Sequence, residues 1–276
     1  MRFTKMHGLG NDFIVLKSDT KKQVDYFGLA KDLCDRHQGI GADGILLAEP
    51  SKVADVKMRV INADGSEAEM CGNGIRCFAK YVYVNGIVKK EKLTVETLAG
   101  IIEPKLVIKD DHIEGVKVNM GRPKLNRSDI PMLGVDGTVL NEKIEANGGE
   151  YHITSLLMGV PHTMLYVKDI NSAPVTSLGP IIEKHPLFPR KTNVNFVEVV
   201  NGSEIKVRTW ERGAGATLAC GTGSCASVVA SYLLGKTKRN VMVHLALGSM
   251  DIEYCDDETV YMTGPAAFVF EGEIEV

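Results

Sequence analysis

Nowhere in these 276 residues is there an uninterrupted apolar run long enough to span a bilayer. The opening stretch, "MRFTKMHGLGNDF", lacks the apolar h-region of a signal peptide, and we expect a cytoplasmic protein. No Cys-x-x-Cys occurs. Cys71 to Cys77 and Cys220 to Cys225 are spaced too widely for a usual zinc knuckle, so no metal is expected. Basic residues form no stripe: 32 Lys and Arg and 35 Asp and Glu are mixed along the chain, for a net charge of -3. That pattern speaks against nucleic acid and anionic membranes and leaves a small molecule as the expected partner. With 44% hydrophobic residues the chain can fill one large core or two ordinary ones without a disulfide scaffold. Its six cysteines (Cys34, Cys71, Cys77, Cys220, Cys225, Cys255) are expected to be thiols in a reducing compartment.

What is present is a repeat. "NADGSEAEMCGNGIRCFAKYVYVNG" and "ERGAGATLACGTGSCASVVASYLLG" share a cysteine, a Gly-x-Gly, a second cysteine and an apolar stretch closed by glycine. Cys71 and Cys220 lie 149 residues apart (220 minus 71). Near that offset "DRH" lies over "EKH", Asn62 over Glu211 and Asn11 over Val160. Two copies of one design are implied, with a boundary near residues 120 to 150.

Runs rich in Val, Ile and Thr, bounded by Gly, Asn and Asp, read as strands in both halves: "FIVLKS", "VKMRVIN", "KLTVET", "IEGVKVNM", then "TMLYVKD", "FVEVV", "EIKVRTW", "NVMVHLAL", "MDIEYC" and "TVYMTG". "GIRCFAKYVYV" and "GSCASVVASYLL" carry little charge and no clean polar face, which marks helices surrounded by protein. Gly86 and Gly235 stand where left-handed caps belong. "YFGLAKDLCDRH" reads as one further, amphipathic helix with Cys34 on its apolar side. The expected fold is α/β: two pseudo-symmetric domains, each a curved, mainly antiparallel sheet wrapped around a buried central helix. We place them at residues 1–120 and 121–276, with the last strand free to return to the N-terminal half.

A helix N-terminus presents unpartnered N–H groups and a partial positive charge, and so favours anions. A cysteine placed there is expected to have its pKa lowered from roughly 8.5 toward the 3.5 to 7.5 range. Two such elements, facing each other across the line between the halves, would suit removal of a proton from a carbon beside a carboxylate and its return on the opposite face. The N–H groups of Gly72, Asn73, Gly221 and Thr222 would hold the carboxylate as it gains charge. For Cys34, Cys77, Cys225 and Cys255 core packing is the better reading. "GTGSCA" matches a dinucleotide fingerprint in form, yet no buried strand precedes it. The histidines lack a nucleophile at motif spacing, and only His162, in "GVPH", is kept as a supporting residue. Glu211 and Arg212 read either as a solvated surface ion pair or as receptors for an ammonium and a carboxylate.

"MHGLGNDF", "NADGSEAEMCGNGIRCFA", "GRP", "MGVPH", "ERGAG" and "ACGTGSCA" together closely resemble the diaminopimelate epimerase family, almost end to end. The resemblance implies a cofactor-independent enzyme that interconverts LL- and meso-2,6-diaminopimelate in the lysine and peptidoglycan pathway. It also implies that Cys71 and Cys220 are the acid/base pair and that Asn11 lies near the reacting centre. Asn62, Asn193, Glu211 and Arg212 would hold the distal end of the substrate. Two positions depart from the family pattern: Gly44, where a glutamine can stand, and Val160, where asparagine is common. The residues leave open a racemase of another amino acid such as histidine, a thiol peroxidase or redox sensor, and a non-catalytic anion-binding module. They also leave room for a homodimer.

Overall fold

An antiparallel hairpin begins the chain. Strand β1 (Arg2–Gly8) pairs with β2 (Asn11–Lys17) around a two-residue turn. Leu9 and Gly10 both take positive φ there, 58° and 90°, the twist that a tight hairpin requires. The structure is a computed structural model that describes residues 1–19 and 23–275. By their internal contacts residues 1–119, with the segment from 263 onward, form one unit and residues 120–262 a second.

In the first unit the hairpin is followed by helix α1 (Tyr26–Cys34), capped by Asp25, whose carboxylate accepts from the N–H groups of Phe27 and Gly28. Strands β3 (Gly44–Glu49), β4 (Val56–Asn62) and β5 (Glu67–Ala68) lead into α2 (Gly72–Val84). Then come β6 (Val95–Thr97), β7 (Gly100–Ile102), β8 (Lys105–Lys109) and β9 (His112–Asn119). Pairing is antiparallel except for β2 with β3 and β4 with β6, which are parallel. Each parallel pair is joined through a helix, as crossover geometry demands. On one side the α1 residues Tyr26, Ala30 and Cys34 pack with Ile14, Leu16 and Ile45. Ile75, Cys77 and Phe78 of α2 are wholly buried. Burying one large apolar side chain is worth roughly 1.5–3 kcal/mol, so these positions anchor α2 in its sheet.

The second unit contains β10 (Val139–Ala146), β11 (Gly149–Met158), β12 (Val160–Tyr166), α3 (Val175–Glu183), β13 (Asn193–Asn201), β14 (Glu204–Glu211) and β15 (Gly215–Thr217). It continues with α4 (Gly221–Leu233), β16 (Asn240–Leu245), β17 (Gly248–Tyr254) and β18 (Val260–Gly264). The last strand, β19 (Ala267–Glu273), pairs with β1 of the first unit. From β11 to β17 the order of strands and helices repeats that from β1 to β7. Here too β12 with β13 and β14 with β16 are parallel, while β10 with β11, β11 with β12, β13 with β14, β14 with β15 and β16 with β17 are antiparallel. The displacement is again 149 residues at both helices (175 minus 26, 221 minus 72). It holds in the register as well: Phe13 pairs with Gly44 as His162 pairs with Asn193. The two sheet-rich units with buried central helices agree with the fold expected from the sequence.

Helix α4 is buried on almost every side, and its polar residues are satisfied internally. Ser224, Ser227 and Ser231 each donate to the carbonyl four residues earlier. Gly86 and Gly235, both at φ 67°, close α2 and α4 in the left-handed conformation. Helix α3 is absent from the sequence reading. It contains Gly179 and Pro180, and Gly179 is imposed by packing, since a Cβ there would lie 2.7 Å from Cβ of Trp210. Cys255 also departs from expectation: it is partly exposed in the turn after β17, whereas Cys34, Cys77 and Cys225 are buried.

Candidate active site

Both cysteines of the repeat cap their helices in the same way. Cys71 and Cys220 have extended backbones, with φ of -137° and -120°, and their carbonyls accept the first helical bonds, from Ile75 and Ser224. Each sulfur accepts from the third helical N–H, Gly74 in one case and Gly223 in the other, at 3.3 Å. A thiol thus fills the role usually taken by a Ser or Asp oxygen. The glycines permit this approach, because a Cβ would lie 3.5 Å from the Cys71 sulfur and 3.1 Å from that of Cys220. Helical geometry leaves the N–H groups of the first two positions outside the ladder, and these belong to Gly72 and Asn73, and to Gly221 and Thr222.

Around Cys71 the structure gathers two of the other expected residues. The thiol donates to Oδ1 of Asn11 at 3.6 Å, and Asn73 donates its side-chain N–H to the same oxygen at 3.2 Å. Asn62 lies at the end of β4, opposite Gly44, and its amide donates to Ser66 at 2.9 Å. Gly44 has no space for a side chain in this backbone: a Cβ would sit 2.6 Å from the carbonyl oxygen of Ile61.

Around Cys220 the environment is more enclosed. The side chain of Glu211 accepts from Thr217 at 2.5 Å, and the Cys220 thiol also interacts with this carboxylate. Thr222 Oγ1 lies 3.6 Å from the Cys220 sulfur. The expectation of a thiolate here is corrected by burial. Burial most of all, and then the negative charge of Glu211, push the Cys220 thiol well above its ordinary range. The Thr222 hydroxyl and the Gly223 N–H pull the other way but do not offset them. Glu211 is itself raised, by its own burial, against the pull of Thr217 and Cys220. Its carboxylate therefore stands beside the thiol, which differs from the distal placement expected for it. Glu211 and Arg212 part ways rather than pairing: Glu211 ends β14 with its carboxylate on Thr217 and Cys220, whereas Arg212 lies in the turn that follows. The Arg212 N–H donates instead to Asn193 Oδ1 at 2.8 Å, and its guanidinium to the carbonyl of Arg190 at 2.9 Å.

His162 is fully buried, and burial, assisted by the charge of Arg212, lowers its pKa to about 3. It is neutral at physiological pH. Its Nδ1 is 3.1 Å from Nδ2 of Asn195, a buried residue that the sequence did not single out and whose Oδ1 accepts from Thr209 at 3.0 Å. Position 160 opens β12 as valine and offers no side-chain hydrogen bond. The short strand before "GTGSCA" is β15, only three residues long and partly exposed, so a dinucleotide site finds no buried strand to stand on.

Residues 3–126 and 154–269 match the model of the family described as Diaminopimelate epimerase. A protein of Moorella thermoacetica named diaminopimelate epimerase is 54% identical over 275 residues, covering 99% of both chains. One of the same name from Caldanaerobacter subterraneus subsp. tengcongensis is 54% identical over the whole of both chains. Solved structures share the fold at low identity. A probable proline racemase from Agrobacterium radiobacter K84 superposes with a TM-score of 0.69 at 16% identity, over 100% of this chain and 93% of that one. A PhzF-family phenazine biosynthesis protein of Bacillus anthracis gives 0.69 at 15% identity, over 100% and 99%. With the family model spanning most of the sequence and full-length relatives identical at more than half of their positions, the chain belongs to the diaminopimelate epimerase family of isomerases.

Proposed function

We propose that the chain interconverts LL- and meso-2,6-diaminopimelate in the cytoplasm, with Cys71 and Cys220 as a cofactor-free acid/base pair. The observation that carries this reading is the duplicated thiol cap, in which one sulfur at each of two related helix ends sits beside N–H groups suited to a carboxylate. One cysteine, as thiolate, takes the α-proton. The electron pair moves into the α-carboxylate, which the N–H groups of Gly72, Asn73, Gly221 and Thr222 stabilise as it gains charge. The other cysteine, as thiol, gives its proton to the opposite face. One proton is taken and one returned, so the stereocentre inverts and the two cysteines exchange protonation states.

Glu211 gives Cys220 a means of changing state. A raised carboxyl within reach of a raised thiol can take that proton and return it, so Cys220 can serve as base or as acid. Asn62, Asn193 and Arg212 are assigned to the distal ammonium and carboxylate, Asn11 to the reacting end, and His162 to support as a neutral ring. A site that pairs buried polar groups can reject an analogue lacking one partner by roughly 10⁴ to 10⁵. Lysine, which lacks the distal carboxylate, should therefore be a very poor substrate. Incubation in heavy water with diaminopimelate, lysine and histidine in parallel tests the substrate. Deuterium should enter the α-carbon of diaminopimelate far faster than the others. Faster exchange into histidine or lysine would transfer the chain to another racemase activity, and peroxide turnover with a thiol donor would make it a redox protein.

A further inference from the structure

The contacts of Asn11 run in two directions. Its Oδ1 accepts from the Cys71 thiol and from Asn73, and its Nδ2 donates to Oδ2 of Asp43 at 2.6 Å. An ionised carboxylate only accepts, so this bond decides which end of the amide is nitrogen. Asp43 is held in turn. Arg36 donates to Asp43 Oδ1 at 2.9 Å and to both oxygens of Asp12 at 2.7 and 3.2 Å, while the backbone N–H of Asp12 donates to Asp43 Oδ2. Lys5, almost wholly buried, pairs with Asp12 at 2.7 Å and donates to the carbonyl of Gly41. Burial works to raise the Asp12 carboxyl, but the bonds from Arg36 and Lys5 outweigh it and hold it near 2. Asp12 therefore stays ionised well into the acid range and keeps Arg36 and Lys5 anchored beside Asp43.

We propose that Asp43 is a positioning residue: anchored by Arg36, it fixes the Asn11 amide with its oxygen, and not its NH2, turned toward Cys71 and Asn73. The consequence for Cys71 rests on its reading as an acid/base group. A carbonyl oxygen accepts from the thiol and disfavours the thiolate, opposing the Gly74 N–H, which favours it. Balanced in this way the sulfur can be left in either state. With the amide reversed, two donors would face the sulfur and trap it as thiolate.

The test is the pH dependence of Cys71 alkylation by iodoacetamide, followed by peptide mass spectrometry on the full chain. Charged and titratable groups on the segment of Cys71 and on the strands packed against α2 include Glu69, Arg76, Cys77 and Lys80, with Lys5 and His7 on β1, Asp12 on β2, and Arg36 and Asp43. In Asp43→Asn, Arg36 claims the new amide oxygen, the NH2 faces Asn11, and Asn11 turns over. The alkylation midpoint should fall by about half a pH unit or more, and Asp43→Glu, which keeps the acceptor, should return it toward the parent value. Asp43→Ala, which leaves Asn11 free to turn, should move it the same way by a smaller step. Loss of the Asp43 charge alone also favours a thiolate through space, but that effect does not need Asn11. Asp43→Asn should therefore shift the midpoint clearly less in an Asn11→Ala background. An unchanged midpoint in Asp43→Asn, or an equal shift with and without Asn11, would overturn the assignment. Alkylation reads the sulfur without turnover, so that result would leave the epimerase reading standing, whereas full activity in Cys71→Ala would remove the reading itself.

Discussion

Gly74 and Gly223 occupy the same position in the two repeats, yet a methyl group should be tolerated at one and not at the other. At 223 the added Cβ would lie 2.4 Å from Asn195 Oδ1 and 3.1 Å from the Cys220 sulfur. Asn195 is fully buried and held by Thr209 and His162, so it has nowhere to go. At 74 the nearest atoms are Leu46 Cδ2 at 3.1 Å and Cys71 Cβ at 3.2 Å, and the end of a leucine side chain can yield by a few tenths of an ångström. Overpacking a core typically costs about 1–3 kcal/mol, while Gly to Ala within a helix returns about 0.5–1 kcal/mol. Gly74→Ala should therefore be nearly neutral, and Gly223→Ala should lose about 2 kcal/mol, or roughly 4–8 °C in unfolding midpoint. Scanning calorimetry of the two variants beside the parent measures this. Gly223→Ala should also lose epimerase activity, because a shift of the Cys220 sulfur by about 1 Å can cost roughly a hundredfold in rate. If Gly223→Ala unfolds at or above the parent temperature, or if Gly74→Ala is the less stable of the pair, the packing argument around Cys220 is wrong.

Cys71→Ala and Cys220→Ala should each abolish epimerisation with the fold retained by circular dichroism, and a chelator should change nothing; parental rates in either variant would rule out the two-base mechanism. Glu211→Gln removes the charge that, after burial, raises the Cys220 thiol, so alkylation of Cys220 should reach its midpoint at lower pH while epimerisation slows; an unmoved midpoint would separate the two groups. His162 stays neutral down to about 3, whereas an unfolded chain takes that proton near pH 6.5. Its contribution to stability is complete above pH 6.5 and is lost as pH falls toward 3, so between about pH 7 and about pH 4 urea midpoints should fall less for His162→Gln than for the parent.

The repeat was legible because it is written in residue types that have few other uses at that spacing. A Cys-Gly-x-Gly followed by an apolar helix and a closing glycine locates α2, α4 and both sulfurs. Helix α3 was not, since Gly179 and Pro180 read as punctuation while the reason for the glycine, the Trp210 ring, lies 31 residues further on (210 minus 179). Strand β1 is hidden because Lys5 reads as an exposed charge, and the ion pair to Asp12 with the bond to the Gly41 carbonyl makes its burial tolerable. The adjacency of Glu211 and Arg212 suggested a joint role, but β14 ends at Glu211 and the turn after it carries Arg212 to Asn193 and Arg190. The expected thiolate at Cys220 rested on the helix terminus alone, and in the folded chain burial and a neighbouring carboxylate outweigh it. Asp43 and Asn195 reach Asn11 and His162 only between neighbouring strands of a sheet, a pairing that no local motif records.

The central claim is that two different sulfurs serve the two faces of one carbon, and the position of deuterium at early times tests it most directly. LL-diaminopimelate is incubated in heavy water with the native chain and stopped after a small fraction has converted. If one thiolate takes the proton and the other cysteine supplies its replacement, the meso product carries solvent deuterium while the recovered LL substrate keeps its own hydrogen. Deuterium entering substrate and product at equal rates from the outset would mean that a single group handles both protons, and the duplicated cysteine caps would need another explanation.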